Sequence, residues 1–142
     1  MYQRDYILRM IEMIAELIAG ILGLIKKGDF QQASQSLDNA YYDFLKQDAA
    51  LFRSIDKEKL TKDLISQHNY THAHLEILSE LFYAEAELLY AQGQQSRSIE
   101  FYEKTLILYE FVNRESKTFS FDKELKISII RNRIAQLKDT TT

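Results

Sequence analysis

Two glycines, Gly28 and Gly93, each follow a long apolar segment and begin the same pattern of residue sizes. A small residue stands five places after each glycine, a large residue nine places after it and a small residue twelve places after it. These positions hold Ala33, Leu37 and Ala40 in the first copy, and Ser98, Tyr102 and Thr105 in the second. Because glycine adopts the left-handed conformation that ends a helix, the pattern predicts two helical hairpins whose small residues let paired helices approach closely.

The scarcity of helix breakers extends this prediction to the whole chain. The 142 residues include no proline and only four glycines, and no segment shows strand alternation between hairpin signals. We therefore expect an all-α fold of five to six antiparallel helices in a single domain spanning residues 1–142. Asp56 is the expected cap of a short helix. The expected helices cover about 4–27, 30–46, 57–67, 71–92, 95–114 and 121–138, with the hairpins at about 14–46 and 79–114.

The two hairpins resemble tetratricopeptide repeats. In the later hairpin, Phe82 and Ala86 hold the large and small positions of the first helix, while Ser98 and Tyr102 hold the alanine and aromatic positions of the second. Neither hairpin has the tryptophan or the terminal proline of the repeat, and an ordinary antiparallel helix pair would show the same glycine caps. The resemblance implies a tetratricopeptide-like stack that presents a curved surface to a protein or peptide partner.

The first residues, 2–12, also resemble the start of an uncharacterised family of bacterial tetratricopeptide-like proteins of unknown function. Its members share a long apolar first helix, a turn like Lys27-Gly28-Asp29-Phe30 and a later repeat-like hairpin. This resemblance implies a bacterial, cytoplasmic protein, and it supplies no catalytic residue to carry over.

A binding groove is the main functional expectation. In tetratricopeptide domains, fixed positions of the first helix of each repeat line the concave surface. Two tyrosines flanked by carboxylates would suit a basic or amphipathic peptide. The alternative is that the tyrosines pack against the C-terminal helix and leave no open groove. Aligned on Gly93, the groove positions are Glu80, Tyr83, Glu87, Tyr90 and Ala91.

The first helix is apolar around most of its circumference. Arg9, Glu12 and Glu16 interrupt it, and a charge at the centre of a bilayer costs about 2.5–3.5 kcal/mol, so we expect a buried helix and no membrane span. We expect the second helix and an apolar seam on the C-terminal helix, formed by Ile127, Ile130, Ile134 and Leu137, to cover part of it. A second copy of the protein would cover the rest. The candidate homodimer interface consists of Ile7, Ile11, Ile14 and Ile18.

Three histidines form the one cluster that suggests a metal. Histidines four residues apart on a helix, such as His68 and His72, can chelate one ion, and an enzyme or metal protein built on them is an alternative hypothesis. However, the glutamate of the His-Glu-x-x-His pattern is missing, and either Asn69 or Thr71 resembles a helix cap that would leave His68 outside the helix. His74 points away from His72. We therefore predict no metal and no cofactor.

The remaining function classes are constrained by charge and composition. A net charge of −3 argues against nucleic-acid binding, and we expect the locally basic C-terminal helix to present a solvated face. The chain has no cysteine, and its start lacks a basic signal-peptide region, so we expect a cytoplasmic protein. Because no phosphate loop or catalytic spacing is present, we predict a non-catalytic interaction module. A structural homo-oligomer without a separate ligand is the alternative.

Overall fold

The all-α prediction is confirmed by a computed structural model, which describes the backbone of residues 2–116 and 121–141 and the side chains of residues 8–114 and 122–139. Within these ranges there is no strand, and a 3₁₀ turn at Lys57–Lys59 precedes the fourth helix. The short third helix was not expected from the sequence. The helices are α1 (Tyr2–Lys27), α2 (Phe30–Leu45), α3 (Ala49–Arg53), α4 (Leu60–His68), α5 (His72–Ala91), α6 (Gln95–Ser116) and α7 (Phe121–Thr141).

The turns at Gly28 and Gly93 have the same geometry. The two glycines have φ angles of 84° and 81°. In each turn the glycine amide donates to the carbonyl three residues earlier at 3.0 Å, and the next amide donates to the carbonyl five residues earlier at 2.9 Å. This is the hydrogen-bond pattern of a Schellman cap. The internal repeat in the sequence therefore corresponds to a repeated local structure.

The small residues after each glycine lie where paired helices meet. Ala33 and Ser98 are both fully buried, and the Ser98 hydroxyl donates to the Ala86 carbonyl at 3.1 Å. Leu37 and Tyr102 are also fully buried beside them. The hairpins α1–α2 and α5–α6 are thus held together by the close approach that the size pattern predicts.

The helix order places α5 at the centre of the fold. It packs against α1, α2 and α6, while α7 packs along α6. The Tyr70 hydroxyl, just before α5, donates to the Leu45 carbonyl at the end of α2, so these two helices run antiparallel. The ion pair of Glu110 with Arg131 and that of Glu103 with Lys138 show that α6 and α7 are also antiparallel. Consequently α1, α5 and α7 all run in the same direction.

Two expectations about packing and capping are wrong. The apolar seam of α7 is buried, but it does not cover α1, because only four residues separate α6 from α7 and α7 folds back along α6. Asp56 holds the N-cap position of the 3₁₀ turn, not of α4, and its side chain makes no capping hydrogen bond. The seam residues are Ile127, Ile130, Ile134 and Leu137.

A buried charge cluster joins α3 to the helices around it. Arg53 donates from Nε to Glu85 Oε1 at 2.6 Å and from Nη2 to Asp38 Oδ1 at 2.7 Å. Glu85 is only 5% exposed, and burial raises its pKa against the opposing effect of Arg53. Lys104 of α6 is 1% exposed and donates to the Arg53 carbonyl at 3.2 Å. The cluster fixes the position of α3 against α2, α5 and α6.

The length of the helices also bears on a membrane location. Across the described part of the chain, no helix combines the length and the apolar character that crossing a bilayer requires.

Candidate functional site

A groove opens between the parallel helices α1 and α7, above the surface of α5. Its cleft measures about 280 Å³. One wall is apolar and belongs to α1, whereas the floor and the other wall carry charged side chains. The lining residues are Ile11, Ile14, Ala15, Ile18, Ala19 and Leu22 of α1, Glu76 and Glu80 of α5, and Lys126 of α7.

The α1 wall is a strip of apolar side chains that remains accessible. Ala15 and Ala19 are exposed, and Ile11 and Leu22 are half-buried. Leu8 is 51% exposed and lies on the same side of the helix, three residues before Ile11. The wall therefore offers small and large apolar groups to anything that enters the groove.

The acidic side chains of the floor are paired with cations of α7. Lys126 donates to both carboxylate oxygens of Glu80 at 2.9 Å, and Lys123 lies 2.9 Å from Glu76. Glu80 also accepts a short hydrogen bond from the Tyr109 hydroxyl of α6. Burial raises the pKa of Tyr109, and the neighbouring Glu80 carboxylate raises it further. The charges at this end of the groove are thus largely neutralised within the chain.

The two tyrosines predicted to line the groove are neither fully buried nor fully free. Tyr83 is half-buried, with the Lys126 ammonium 5.2 Å from its ring centroid. Burial raises the pKa of Tyr83 to about 12, and Glu87 adds to this shift. Tyr90 is 41% exposed, and the Arg133 guanidinium carbon lies 4.5 Å from its ring centroid. Cationic side chains of α7, instead of its apolar seam, therefore cover these rings in part.

The other two predicted groove residues lie nearby. Glu87 accepts a hydrogen bond from the Tyr102 hydroxyl at 2.9 Å, and burial together with this carboxylate raises the pKa of Tyr102. Ala91, the last residue of α5, is exposed. The structure thus places Glu80, Tyr83 and Glu87 along one face of α5, while partner binding by these residues stays a prediction.

Sequence reasoning missed the contribution of α7 to this site. We expected its basic residues to present a solvated face. Instead, Lys123, Lys126 and Arg133 are half-buried and point towards α5. They lie on the helix face adjoining the apolar seam, and that spacing is a signal that the sequence did contain.

The candidate homodimer interface on α1 requires a correction. Ile14 and Ile18 are 1% and 4% exposed and belong to the core of the single chain, in which α1 packs against α2 and α5. Ile11 is half-buried and lines the groove. The side chain of Ile7 lies outside the described residues. Of the predicted residues whose side chains are described, only Ile11 therefore remains partly accessible to a partner.

The histidines do not form the helical pair that a metal site would use. His68 ends α4 and His72 begins α5, so their four-residue spacing spans two helices. Asn69 between them has a φ of 55° and ends α4, while Thr71 caps α5. His74 Nδ1 accepts a hydrogen bond from the Thr71 amide at 3.0 Å, and burial lowers the pKa of His74. In the part of the chain that the structure describes, no three metal-binding side chains come together.

Comparison with known proteins gives a family without an assigned role. Residues 1–129 match the model of a family described as a family of unknown function, DUF6483. No curated protein matches the chain, and no solved structure matches it.

Proposed function

The chain belongs to DUF6483, a family of unknown function, and we propose that it is a non-catalytic interaction module whose groove binds a segment of another protein. The observation that carries this proposal is the accessible apolar wall of α1, which faces the charged surface formed by α5 and α7. Apolar groups beside oriented polar groups are typical of peptide-binding surfaces, because burial supplies affinity and charge fixes orientation.

The polar groups in the groove support binding over catalysis. Glu80 and Lys126 are engaged with each other at 2.9 Å, and Glu76 is engaged with Lys123 at the same distance. A general acid or base needs a proton-transfer group that can reach the substrate, whereas these groups are held in pairs. We also propose a cytoplasmic location, which the lack of cysteine supports.

Selection from random peptides displayed on phage tests the groove directly. The exposed residues Ala15 and Ala19 are replaced together by arginine, which blocks the α1 wall without disturbing a buried side chain. The matched control is Ala135→Arg, because Ala135 is exposed on the side of α7 facing away from Arg133. We expect selected peptides to bind the wild-type chain and the control but not the double variant. Equal binding of the peptides to all three proteins would exclude the groove as the binding site.

Self-association is the second candidate function. Met13 is 53% exposed on the outer side of α1, beside a hollow of about 430 Å³ lined by Glu16, Leu17, Asp43 and Phe44. We propose that this surface, instead of the four isoleucines expected from the sequence, meets a second copy of the chain. Light scattering on the wild-type protein and on Met13→Glu tests this function. A homodimer through this surface requires the wild-type protein to have twice the mass of the variant.

A further inference from the structure

We infer that Arg133 is the counter-charge for an acidic side chain of the bound segment, so that the groove selects an amphipathic peptide carrying a carboxylate. This inference rests on the proposed function. It starts from a difference among the three cations that α7 directs towards α5. Lys123 and Lys126 each have a carboxylate at 2.9 Å, whereas Arg133 has no ion pair among the described residues.

The environment of Arg133 leaves its guanidinium without an acceptor. The guanidinium carbon lies 4.5 Å from the centroid of the Tyr90 ring, in a cation–π contact. This contact gives the N–H groups of Arg133 no hydrogen-bond acceptor. Its Nη1 atom is enclosed by protein and has no hydrogen-bond partner in the part of the chain that is described. Arg133 acts electrostatically on Tyr83 and Tyr102, which both interact with Glu87, but among the described residues no ion pair joins Arg133 to Glu87. The side chain as a whole is only half-buried, so its other N–H groups can meet a ligand, and a guanidinium without an acceptor favours a ligand that supplies one.

Arg133 lies on the side of α7 that borders the groove. Arg133 lies two helical turns after Lys126, which lines the cleft, and Ile129 lies between them on the same face. Ile129 is 52% exposed and Tyr90 is 41% exposed, so a ligand that reaches Arg133 also meets apolar surface. On the opposite wall, Ala19 is exposed as well. A ligand in this part of the groove would therefore meet apolar surface on both sides and, at Arg133, a cation without an ion pair among the described residues.

The charge of the chain and of the rest of the groove favours an isolated carboxylate as the ligand group. Glu76 and Glu80 on the groove floor are each paired with a lysine of α7, and the chain carries a net charge of −3. A polyanion such as a nucleic acid would be repelled by this net charge, and it would bring no apolar face for α1. A peptide with apolar residues on one side and one aspartate or glutamate satisfies both requirements.

The experiment uses the full chain and peptides selected from the random library. A selected peptide is labelled with fluorescein, and its dissociation constant is measured by fluorescence anisotropy. We expect the selected sequences to share one acidic position. Replacing that residue by its amide, or replacing Arg133 by glutamine in the protein, should each weaken binding by about tenfold, because each removes one charged hydrogen-bonded pair. Making both changes together should weaken binding little more than either change alone.

The control is Arg131→Gln, since Arg131 pairs with Glu110 of α6 at 2.6 Å on another face of α7. This variant should bind the peptide as the wild type does, and Arg133→Glu should prefer a peptide in which lysine replaces the acidic residue. Peptides without an acidic position, or unchanged binding by Arg133→Gln, would overturn the inference. If peptide binding were still lost in the Ala15 and Ala19 double variant, the groove would remain supported as the binding site even though the role of Arg133 was wrong. A library that yields no binding peptide would count against both proposals.

Discussion

The ammonium group of Lys126 lies 2.9 Å from each carboxylate oxygen of Glu80, so one ion pair connects the last helix to the central one. Glu80 also accepts the hydroxyl of Tyr109, and one carboxylate thereby joins α5, α6 and α7. Because the backbone of α7 packs along α6, side chains of this kind carry its contact with α5. The wall of the groove therefore depends on charged contacts as well as on apolar packing.

Replacing Lys126 by glutamine should lower the free energy of unfolding by about 1 kcal/mol, because a half-buried ion pair and its contact with an aromatic ring are lost. Its side chain is 36% exposed, which limits the effect. Urea unfolding measures the change. Arg131→Gln is the control, since its ion pair is 61% exposed on the arginine side and should contribute less than about 0.5 kcal/mol. Equal effects of the two variants would show that the contact with α5 does not stabilise α7.

Replacing Arg53 by methionine should destabilise the protein much more, by about 3 kcal/mol, because it leaves the Glu85 carboxylate buried without its cation. Glu85 is only 5% exposed, so water cannot replace the lost partner. The double variant Arg53→Met/Glu85→Leu should recover most of the loss, since it removes the buried charge as well. Urea unfolding of the three proteins tests this, and a double variant no more stable than the single one would contradict it.

The same arginine variant should change how stability depends on pH. Burial raises the pKa of Glu85 above its ordinary value, so the folded state holds this proton more tightly than the unfolded state does. Stability from this group is present at low pH and is lost as the pH rises through the raised pKa. Without Arg53 the pKa of Glu85 should rise further, so the free energy of unfolding should continue to fall to a higher pH than in the wild type. If the free energies of unfolding of the wild type and of the Arg53 variant changed with pH in the same way, this prediction would be wrong.

The glycines give a prediction with an internal control. Gly28 and Gly93 have φ angles of 84° and 81°, where a Cβ atom is strained, so each substitution by alanine should destabilise the protein by roughly 1 kcal/mol. Gly20 and Gly23 lie inside α1, and an added Cβ would meet nothing within 4 Å. Alanine at either of these positions should therefore stabilise the protein by roughly 0.5–1 kcal/mol. In thermal unfolding, the Gly28 and Gly93 variants should melt at a lower temperature than the wild type, and the Gly20 and Gly23 variants at a higher one.

Much of the fold followed from local sequence patterns. The ends of α1 and α5 were predicted from Gly28 and Gly93, and Thr71 was one of two candidates for the cap that begins α5. The other candidate, Asn69, instead ends α4. Such features involve hydrogen bonds between residues at most six positions apart, so a single sequence contains all the information that they need. The all-α class followed for the same reason.

The buried charge cluster could not be predicted in this way. Arg53 pairs with Asp38 and Glu85, which lie 15 and 32 residues away along the chain. Lys104 is as fully buried as a core leucine, although nothing in its neighbouring residues distinguishes it from an exposed lysine. Burial of a charge depends on which groups other helices bring to it, and those groups are distant in sequence.

By itself, then, the sequence of this protein determined the approximate ends of every helix except the short α3 and which sides of the helices are apolar, because these properties arise within one or two turns. Tertiary structure decided which helices became neighbours. It turned α7 onto α6 instead of α1, enclosed Ile14 and Ile18, and left the wall around Ala15 and Ala19 open. The physical reason is that a short connection and competing apolar surfaces set the packing, and both act through the whole chain at once.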